Sequence, residues 1–541
     1  MKITIFENNE ARILLSNPDF LEAWEKLCGH CSWATVFQSV AFVSTWYKNF
    51  PNYPCLIISD WDNGNMTGLL TLTRDGKSLV AAGTNLAEYQ VWIESADSEN
   101  RFIMGALKAI QTRFPGQTLK LKYLPPATPI SFFQTADWSK KVILKPYEMP
   151  LMRLDKDQLQ SELKKKNRKE KLNRLNRIGD LQFKVIQEKH GFDKAINEMC
   201  VQSDFRKGAM YNKIAFKEEP QRKNFLLDLY DLGLIHLSLF TLNQELIASN
   251  AGIVGKDMVH LQGINSHSPF YAKHSPGILH FLQLGIALAD EGFSFFDLTP
   301  GGAGGYKEML ASEQKLAWEL IMLSPPKIAL SKVIEVTKKT FLTGLAKTRL
   351  AGNSSDFKSL WLDKKNKGKL FLKNPSKLFR SDGMNKIWSN QPKKYFSFNT
   401  AVKGSFQGEF NIAQNELKDF LDYNEKGSLI TRWEFLSDCM KRIELGHIPF
   451  TIKENGELVA VFWEIPINAK SGENKVDKYD KTTFTYSYYK EDFHGHLLGI
   501  ANHLISSLID AEKLTLPYDF QVTSGQKHLL YKLKNQETQL L

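Results

Sequence analysis

The apolar positions fall first into short alternating runs. Residues 55–59, the polar stretch Asp62-Asn63-Gly64-Asn65 and residues 67–73 read as a strand, a turn that accepts positive φ, and a second strand, hence a hairpin. Residues 79–82 and 90–93 add shorter β runs, 102–113 has the helical period, and 117–123 is a strand that stops at Pro125-Pro126. Ahead of them, residues 17–50 read as two helices. The second carries Phe42, Trp46 and Phe50 on one face, a spacing expected of core aromatics. This pattern predicts a mixed α/β domain over residues 1–150.

A different pattern opens the next segment. Residues 157–178 predict one helix in which Lys164, Lys165, Lys166, Arg168, Lys169, Lys171, Arg174 and Arg177 surround Leu163, Leu172, Leu175 and Ile178. Strands follow at 181–186, 235–241, 245–253 and 258–264, with helices at 191–202 and 220–232 between the first two. Ser275 and Pro276 then stand at the N-cap and first position of a helix reaching about residue 291, whose opening amides are expected to be free for an anionic group. A β run at 293–298, the glycine loop 301–305, Tyr306-Lys307 and a strand at 315–322 complete a second domain over 151–325. Strands with a helix returning to the sheet describe an α/β layer architecture.

Residues 326–395 begin after Pro325, are basic and weakly periodic, and read as a linker or peripheral lobe. Residues 396–541 repeat the order of the second domain: 445–451 resembles 232–238, Tyr486, Gly495 and Tyr518-Asp519-Phe520 follow in the order of Tyr271, Gly277 and Phe296-Asp297-Leu298, and Tyr531-Lys532 echoes Tyr306-Lys307. His494-Gly495-His496 replaces Ser275-Pro276-Gly277, and Ser524-Gly525 is all that remains of the glycine loop. The later copy is therefore expected to be degenerate, and the earlier one to hold the chemistry.

Composition changes this picture little. The 541 residues are 43% hydrophobic, enough for several cores, and carry a net charge of +11, which favours anionic partners or simply solubility. Five scattered cysteines do not build a disulfide framework, and Cys28-Gly-His-Cys31 ends a helical pattern where a redox dithiol would open one. The N-terminus lacks a secretion-signal core and no run reaches the ~18 apolar residues of a membrane span, so a cytoplasmic location is expected. The basic helix at 164–177 offers a surface to an anionic carrier or membrane face. Without aromatics to stack bases, nucleic acid is not expected there.

The candidate chemistry lies at 271–308. Gly301-Gly302-Ala303-Gly304-Gly305 lacks the Gly-Lys-Ser/Thr of a phosphate loop and does not follow a first strand as a dinucleotide fold requires. Tyr306 is a candidate proton donor, since an ordinary tyrosine suits an acid at neutral pH; its alternative is a buried ring. Asp297, at the end of an apolar strand, is either a site carboxylate or a loop-fixing one, and Lys307 a partner for phosphate or Asp297. His236, His260, His267, His274 and His280 show no metal-ligand spacing, so no metal is expected; His267 or His274 lies nearest the helix start as a candidate base. No Gly-x-Ser-x-Gly elbow is present.

These residues carry a resemblance. The basic helix leading into Leu175-Asn176-Arg177-Ile178-Gly179-Asp180-Leu181, the strand Glu245-Leu246-Ile247-Ala248, Tyr271 with Ser275-Pro276-Gly277, and Asp297 with Tyr306-Lys307 resemble the GNAT acyltransferase superfamily in its CelD-type branch, associated with cellulose and exopolysaccharide biosynthesis. Phe37-Gln38-Ser39 with Trp46 and Gly68-Leu69-Leu70 extend the likeness to the N-terminal part, and the layout is similar to the two-domain FemABX aminoacyltransferases. The resemblance implies an α/β fold of tandem GNAT-like (acyl-CoA N-acyltransferase) domains with mixed, mostly antiparallel sheets flanked by helices. It also implies acetyl-CoA or another acyl-CoA as co-substrate and an amine or hydroxyl of a small-molecule or saccharide acceptor. Lys273, Ser275, Pro276, Gly277, Ile278 and Lys307 would then hold the cofactor, with Tyr306, His274 and Asp297 as catalytic candidates. The superfamily's usual Gln/Arg-x-x-Gly-x-Gly/Ala loop is replaced by Lys273-His274-Ser275-Pro276-Gly277. The remaining alternatives are a non-catalytic scaffold and transfer from aminoacyl-tRNA.

Overall fold

A computed structural model describes residues 3–301, 304–323, 393–398, 400, 410–425, 430–467, 481–490, 496–514, 516–523 and 533. The described residues divide into two compact units. The first is drawn from Met1–Cys200, Glu218–His267 and His274–Leu350, the second from Val201–Lys217, Ser268–Lys273 and Ala351–Leu541.

The first unit is built on β1 (Thr4–Glu7), β2 (Leu56–Asp62), β3 (Asn65–Asp75), β4 (Ser78–Ala81), β5 (Ile93–Glu94), β6 (Thr118–Leu124), β7 (Val142–Arg153), β8 (Leu181–Ile186), β9 (Ile235–Leu242), β10 (Glu245–Val254), β11 (Met258–His267), β12 (Phe295–Asp297) and β13 (Glu313–Met322). They form one sheet in the order β1-β2-β3-β4-β6-β13-β7-β12-β11-β10-β9-β8, with β5 added on β3. Two equal sets lie within it. In one, β1 to β4 pair antiparallel, the helix α1 (Arg101–Arg113) crosses over, and β6 returns parallel to β4. In the other, β8 to β11 pair antiparallel, a crossover helix follows, and β12 returns parallel to β11. A parallel return demands such a crossover. Each set borrows its last strand: β7 pairs with β12, β13 with β6, and β7 with β13 over ten residues, which fuses both sets into one ladder. The boundary expected at residue 150 falls inside β7.

The helix expected over 157–178 is two, α2 (Lys156–Lys164) and α3 (Lys166–Ile178), because Lys165 is extended at φ −56° and ψ 137°. Arg168 captures both the carboxylate and the carbonyl of Glu162, so the chain turns where helical periodicity alone would continue. The crossover helix of the second set is α4 (Pro276–Asp290). It lies so close to α2 that a Cβ at Gly285 would stand 2.9 Å from Leu159 Cδ1 and 2.6 Å from Met152 Cε, so that a larger residue would have to displace the ends of both side chains. Leu159, Leu282, Leu284, Leu288 and Phe296 fill the core beneath it. The short helix α5 (Tyr306–Leu310) stands where the sequence predicted only a loop exit.

In the second unit, β14 (Lys393–Phe398), β15 (Asn411–Gln414), β16 (Ile448–Glu454), β17 (Glu457–Ile465), β18 (Thr483–Tyr489) and β19 (Tyr518–Thr523) are ordered β14-β19-β18-β17-β16-β15. Again three antiparallel pairings precede a helix, α6 (Leu497–Asp510), and a parallel return. The same order of pairings thus occurs three times in the chain. Ser524-Gly525, Tyr531-Lys532 and His494-Gly495 lie outside the described residues, as does nearly all of 326–395.

His280 of α4 is buried with Nε2 3.0 Å from Ser238 Oγ, and burial pushes its imidazole down to about 3 from the usual 6.5. The folded state therefore resists protonation while the unfolded chain accepts it. Stability present above pH 6.5 is lost as pH falls towards 3, by about 1.4 kcal/mol per pH unit for this proton. Urea unfolding at pH 7 and pH 5 is expected to show a steeper loss for the wild type than for His280→Gln; equal losses would contradict it.

Candidate active site

Strand β11 outruns its parallel partner. The two are paired only at Met258↔Phe295, Val259↔Phe296 and His260↔Asp297, whereas β11 stays with β10 as far as Ala248↔His267. The chain beyond β12 follows β7 instead, with Leu298 and Gly301 N–H donating to the carbonyls of Pro150 and Glu148, both at 3.1 Å. The two strands therefore part, and the edge of β11 over 261–267 has no strand partner on that side among the described residues.

A buried polar cluster stands where they part. Asp297 has no solvent exposure, and its carboxylate accepts from the Tyr89 hydroxyl (2.7 Å) and the Thr299 amide (2.9 Å), with His260 Nδ1 at 2.8 Å. Lys307 Nζ donates to the Thr299 carbonyl (2.8 Å) and hydroxyl (3.0 Å) rather than to Asp297. Burial lowers the Lys307 ammonium, against the pull of Glu88 and Asp297. The loop 83–90 of the first strand set lies over this point. It is held by Gln38 to the Tyr89 carbonyl, by paired backbone and side-chain bonds between Gln90 and Lys122, and by Gln262 to the Asn85 carbonyl. Glu88 of that loop is 7% exposed, and burial, with Asp297 second, pushes its carboxyl up to about 7.

The backbone around the cluster is strained. Thr84, Tyr123 and Thr299 have φ of 31°, 56° and 67°, unfavourable for bulky or β-branched residues. Gly301 at φ 105° approaches Tyr123 so closely that a Cβ would lie 2.5 Å from its hydroxyl. Three strained non-glycine residues around one carboxylate pair mark a place where position outweighs local comfort.

The start of α4 departs from the expected cap. Ser275 lies in the left-handed region (φ 52°, ψ 51°) and its hydroxyl caps no amide; it accepts from Lys171 Nζ at 2.8 Å. The amides of Ile278 and Leu279 donate to the Ser275 carbonyl, and Pro276 has none, so Gly277 is the opening-turn donor left for an anion. His274 and Pro276 are buried, whereas Gly277 and Ile278 are partly so. Lys273 is exposed and falls in the segment 268–273 of the second unit. The Tyr306 ring packs 5.8 Å from Phe281, partly buried against the core under α4. Asp297 and Lys307 are thus brought together through Thr299, while the bonds of Asp297 go to neither His274 nor Tyr306. Gly302 and Ala303 lie outside the described residues.

Residues 163–308 match the family profile described as an acetyltransferase (GNAT) domain. This segment therefore carries a GNAT-type acyltransferase domain. It runs from the end of α2 to the first turn of α5, and so contains α3, the parted strands, α4, Asp297 and Lys307. Among solved structures, the chain is similar to L-PGS from Bacillus licheniformis (12% identity, 60% of this chain and 96% of that one, TM-score 0.37). It is also similar to FemX (10%, 57% and 98%, 0.39) and to a tandem GNAT protein from the clavulanic acid biosynthesis pathway (9%, 60% and 99%, 0.34). Overlaps this low carry no weight beside the profile match. No curated protein matches the chain in sequence.

Several site residues lie outside the GNAT segment. Glu88, Tyr89, Lys122 and Tyr123 come from the first strand set; the sequence places Lys122 and Tyr123 in the strand at 117–123 and leaves Glu88 and Tyr89 between two β runs. The one available signal was Glu88 itself, a charge just ahead of the β run 90–93. Cys28 and Cys31 are no reactive dithiol: burial pushes Cys28 up to about 12 and raises Cys31. Among the described residues no group of three or more His, Cys, Asp or Glu is placed to hold a metal, and no helix is long and apolar enough to cross a membrane.

Asp297→Asn is expected to cost about 1–3 kcal/mol by leaving a buried partner unmatched. Tyr89→Phe and Asp297→Asn share one hydrogen bond, so the double variant should cost less than the two single losses combined in urea unfolding. Strict additivity would show that they do not act together.

Proposed function

We propose that the chain transfers an acetyl or other acyl group from acyl-CoA to an amine or hydroxyl of a polar acceptor, in the manner of the CelD-type branch, with an amino sugar or polysaccharide precursor as the acceptor class. The observation that carries this reading is the parting of β11 from β12 inside the segment matched as an acetyltransferase (GNAT) domain. Beyond His260, β11 has no strand partner on that side among the described residues, an edge of the kind that an extended pantetheine arm can meet, as an added strand does at a sheet edge. At the helix start, the Gly277 amide and the Lys171–Ser275 pair are suited to a pyrophosphate, with Pro276 and Ile278 in the same segment. At the other end, Asp297 and Lys307 border the reacting carbonyl, and Tyr306 or His274 serves as proton donor or acceptor. The third strand set is read as a degenerate GNAT-like repeat, and the location as cytoplasmic.

One observation favours a second reading. Lys164, Lys165, Lys166, Lys169, Arg174 and Arg177 are all exposed along α2 and α3, a surface for an anionic carrier such as aminoacyl-tRNA or an anionic membrane face.

Calorimetry with acetyl-CoA separates the two. Saturable binding is expected, weakened at least about tenfold, or 1.4 kcal/mol, by Gly277→Val, whose Cβ would already lie 3.3 Å from His267 Nδ1. Wild-type protein that ignores acetyl-CoA sinks the first reading; if it then binds tRNA in a salt-dependent way, the second stands.

A further inference from the structure

We infer that the Glu88 carboxylate, contributed by the first strand set, is the general base for the acceptor at the opening between β11 and β12, so that the reacting centre is composite. The assignment rests on the acyl-transfer reading and deepens it. It makes the first strand set a partner of the GNAT segment rather than a second, independent centre.

The argument begins with what Glu88 lacks. It is 7% exposed, yet among the described residues no group donates a hydrogen bond to its carboxylate. A buried carboxylate kept for structure looks different in this same molecule. Glu94, 2% exposed, accepts from the Ile103 amide at 3.2 Å and from Ser98 Oγ. Asp419, 6% exposed, accepts from Thr451 at 2.6 Å and Lys453 at 3.0 Å. With no donor committed to it, the Glu88 carboxylate is available to a proton in a way that Glu94 and Asp419 are not.

Its surroundings define that work. Asp297 on β12, Lys122 and Tyr123 on β6, Lys307 on α5 and Tyr89 on its own loop are the titratable groups around it. Asp297 is already bound to Tyr89, His260 and Thr299, and Lys307 to Thr299, so Glu88 is the carboxylate left to receive a proton. Its raised pKa of about 7 places it half-ionised at neutral pH, which suits a base that must both take and release a proton. In the step, Glu88 takes one proton from the acceptor ammonium. The freed nitrogen attacks the thioester carbonyl, a C–N bond forms and the C–S bond breaks. The second nitrogen proton goes to the departing thiolate, and Glu88 returns its own to solvent.

Glu88→Gln and Glu88→Asp test this, with acetyl-CoA and glucosamine as probes and thiol release as the readout. For the wild type, kcat/KM is expected to rise with pH to a plateau through a midpoint near 7. Glu88→Gln should lose that limb and about 10²- to 10⁴-fold in kcat, while its acetyl-CoA Kd stays within about twofold; Glu88→Asp should keep part of the rate. Stability gives an independent readout. Because the folded pKa is raised above the unfolded value of 4.5, the contribution of this one group to stability is full below pH 4.5 and is lost as pH rises through about 7. Glu88→Gln should therefore resist urea better than the wild type above pH 7. Lost rate with gained stability is the signature expected. A Glu88→Gln protein that is less stable or fails to fold marks a structural residue and overturns the assignment. So does thiol release equal to the wild type's while both bind acetyl-CoA. Wild-type protein that binds no acetyl-CoA overturns the acyl-transfer reading and this assignment with it.

Discussion

The carboxylate of Asp297 is the tie on which the first unit depends. With no solvent to share its charge, it is held by a tyrosine from the first strand set, a histidine from β11 and the amide of Thr299 beyond β12. Bonds to an ionised acceptor are stronger than neutral ones, and a low-dielectric setting strengthens them further. Three pieces of chain distant in sequence are thereby fixed at one point, the point where β11 and β12 part. Loss of that tie would take from the loop 83–90 its bond to β12 and from the turn at Thr299 its bond to Asp297.

The exchange of closing strands makes this tie geometrically possible. Because β7 pairs with β12 and β13 with β6, the ends of β6 and β12 face a common region, and residues from both strand sets meet there. The cost appears in the backbone: Thr84, Tyr123 and Thr299 are held at positive φ, each against an unfavourable contact of its own Cβ. Ten paired residues between β7 and β13 supply the rigidity that holds such conformations.

Charge is distributed by the same logic. The exposed cations of α2 and α3 stand in solvent, where most are worth little to stability, while Lys171 turns inward to Ser275. In the cluster, Lys122 and Lys307 face Glu88 and Asp297, and burial moves Glu88 and Lys307 towards their neutral forms. The centre is therefore poised near neutrality, unlike the outer surface.

Much of the strand and helix order was legible in the chain, because periods of two and 3.6 report which face is buried. The hairpin at 55–73, the run β9 to β11, the helix α4 and the likeness of 160–310 to an acyltransferase were all readable in that way, and so was Asp297 as a polar residue ending an apolar strand. Local pattern misjudged what depends on partners. Ser275 has the composition of a cap, yet its backbone is left-handed and its hydroxyl serves Lys171; Lys165 has helical neighbours, yet Arg168 seizes Glu162 and the helix breaks. Nothing local could announce that the glutamate of one strand set lies beside the aspartate of the other. Residues 88 and 297 are joined by a ladder of strands whose pairing is long-range, and only the tertiary structure, by burying both carboxylates and giving hydrogen bonds to one alone, made them different.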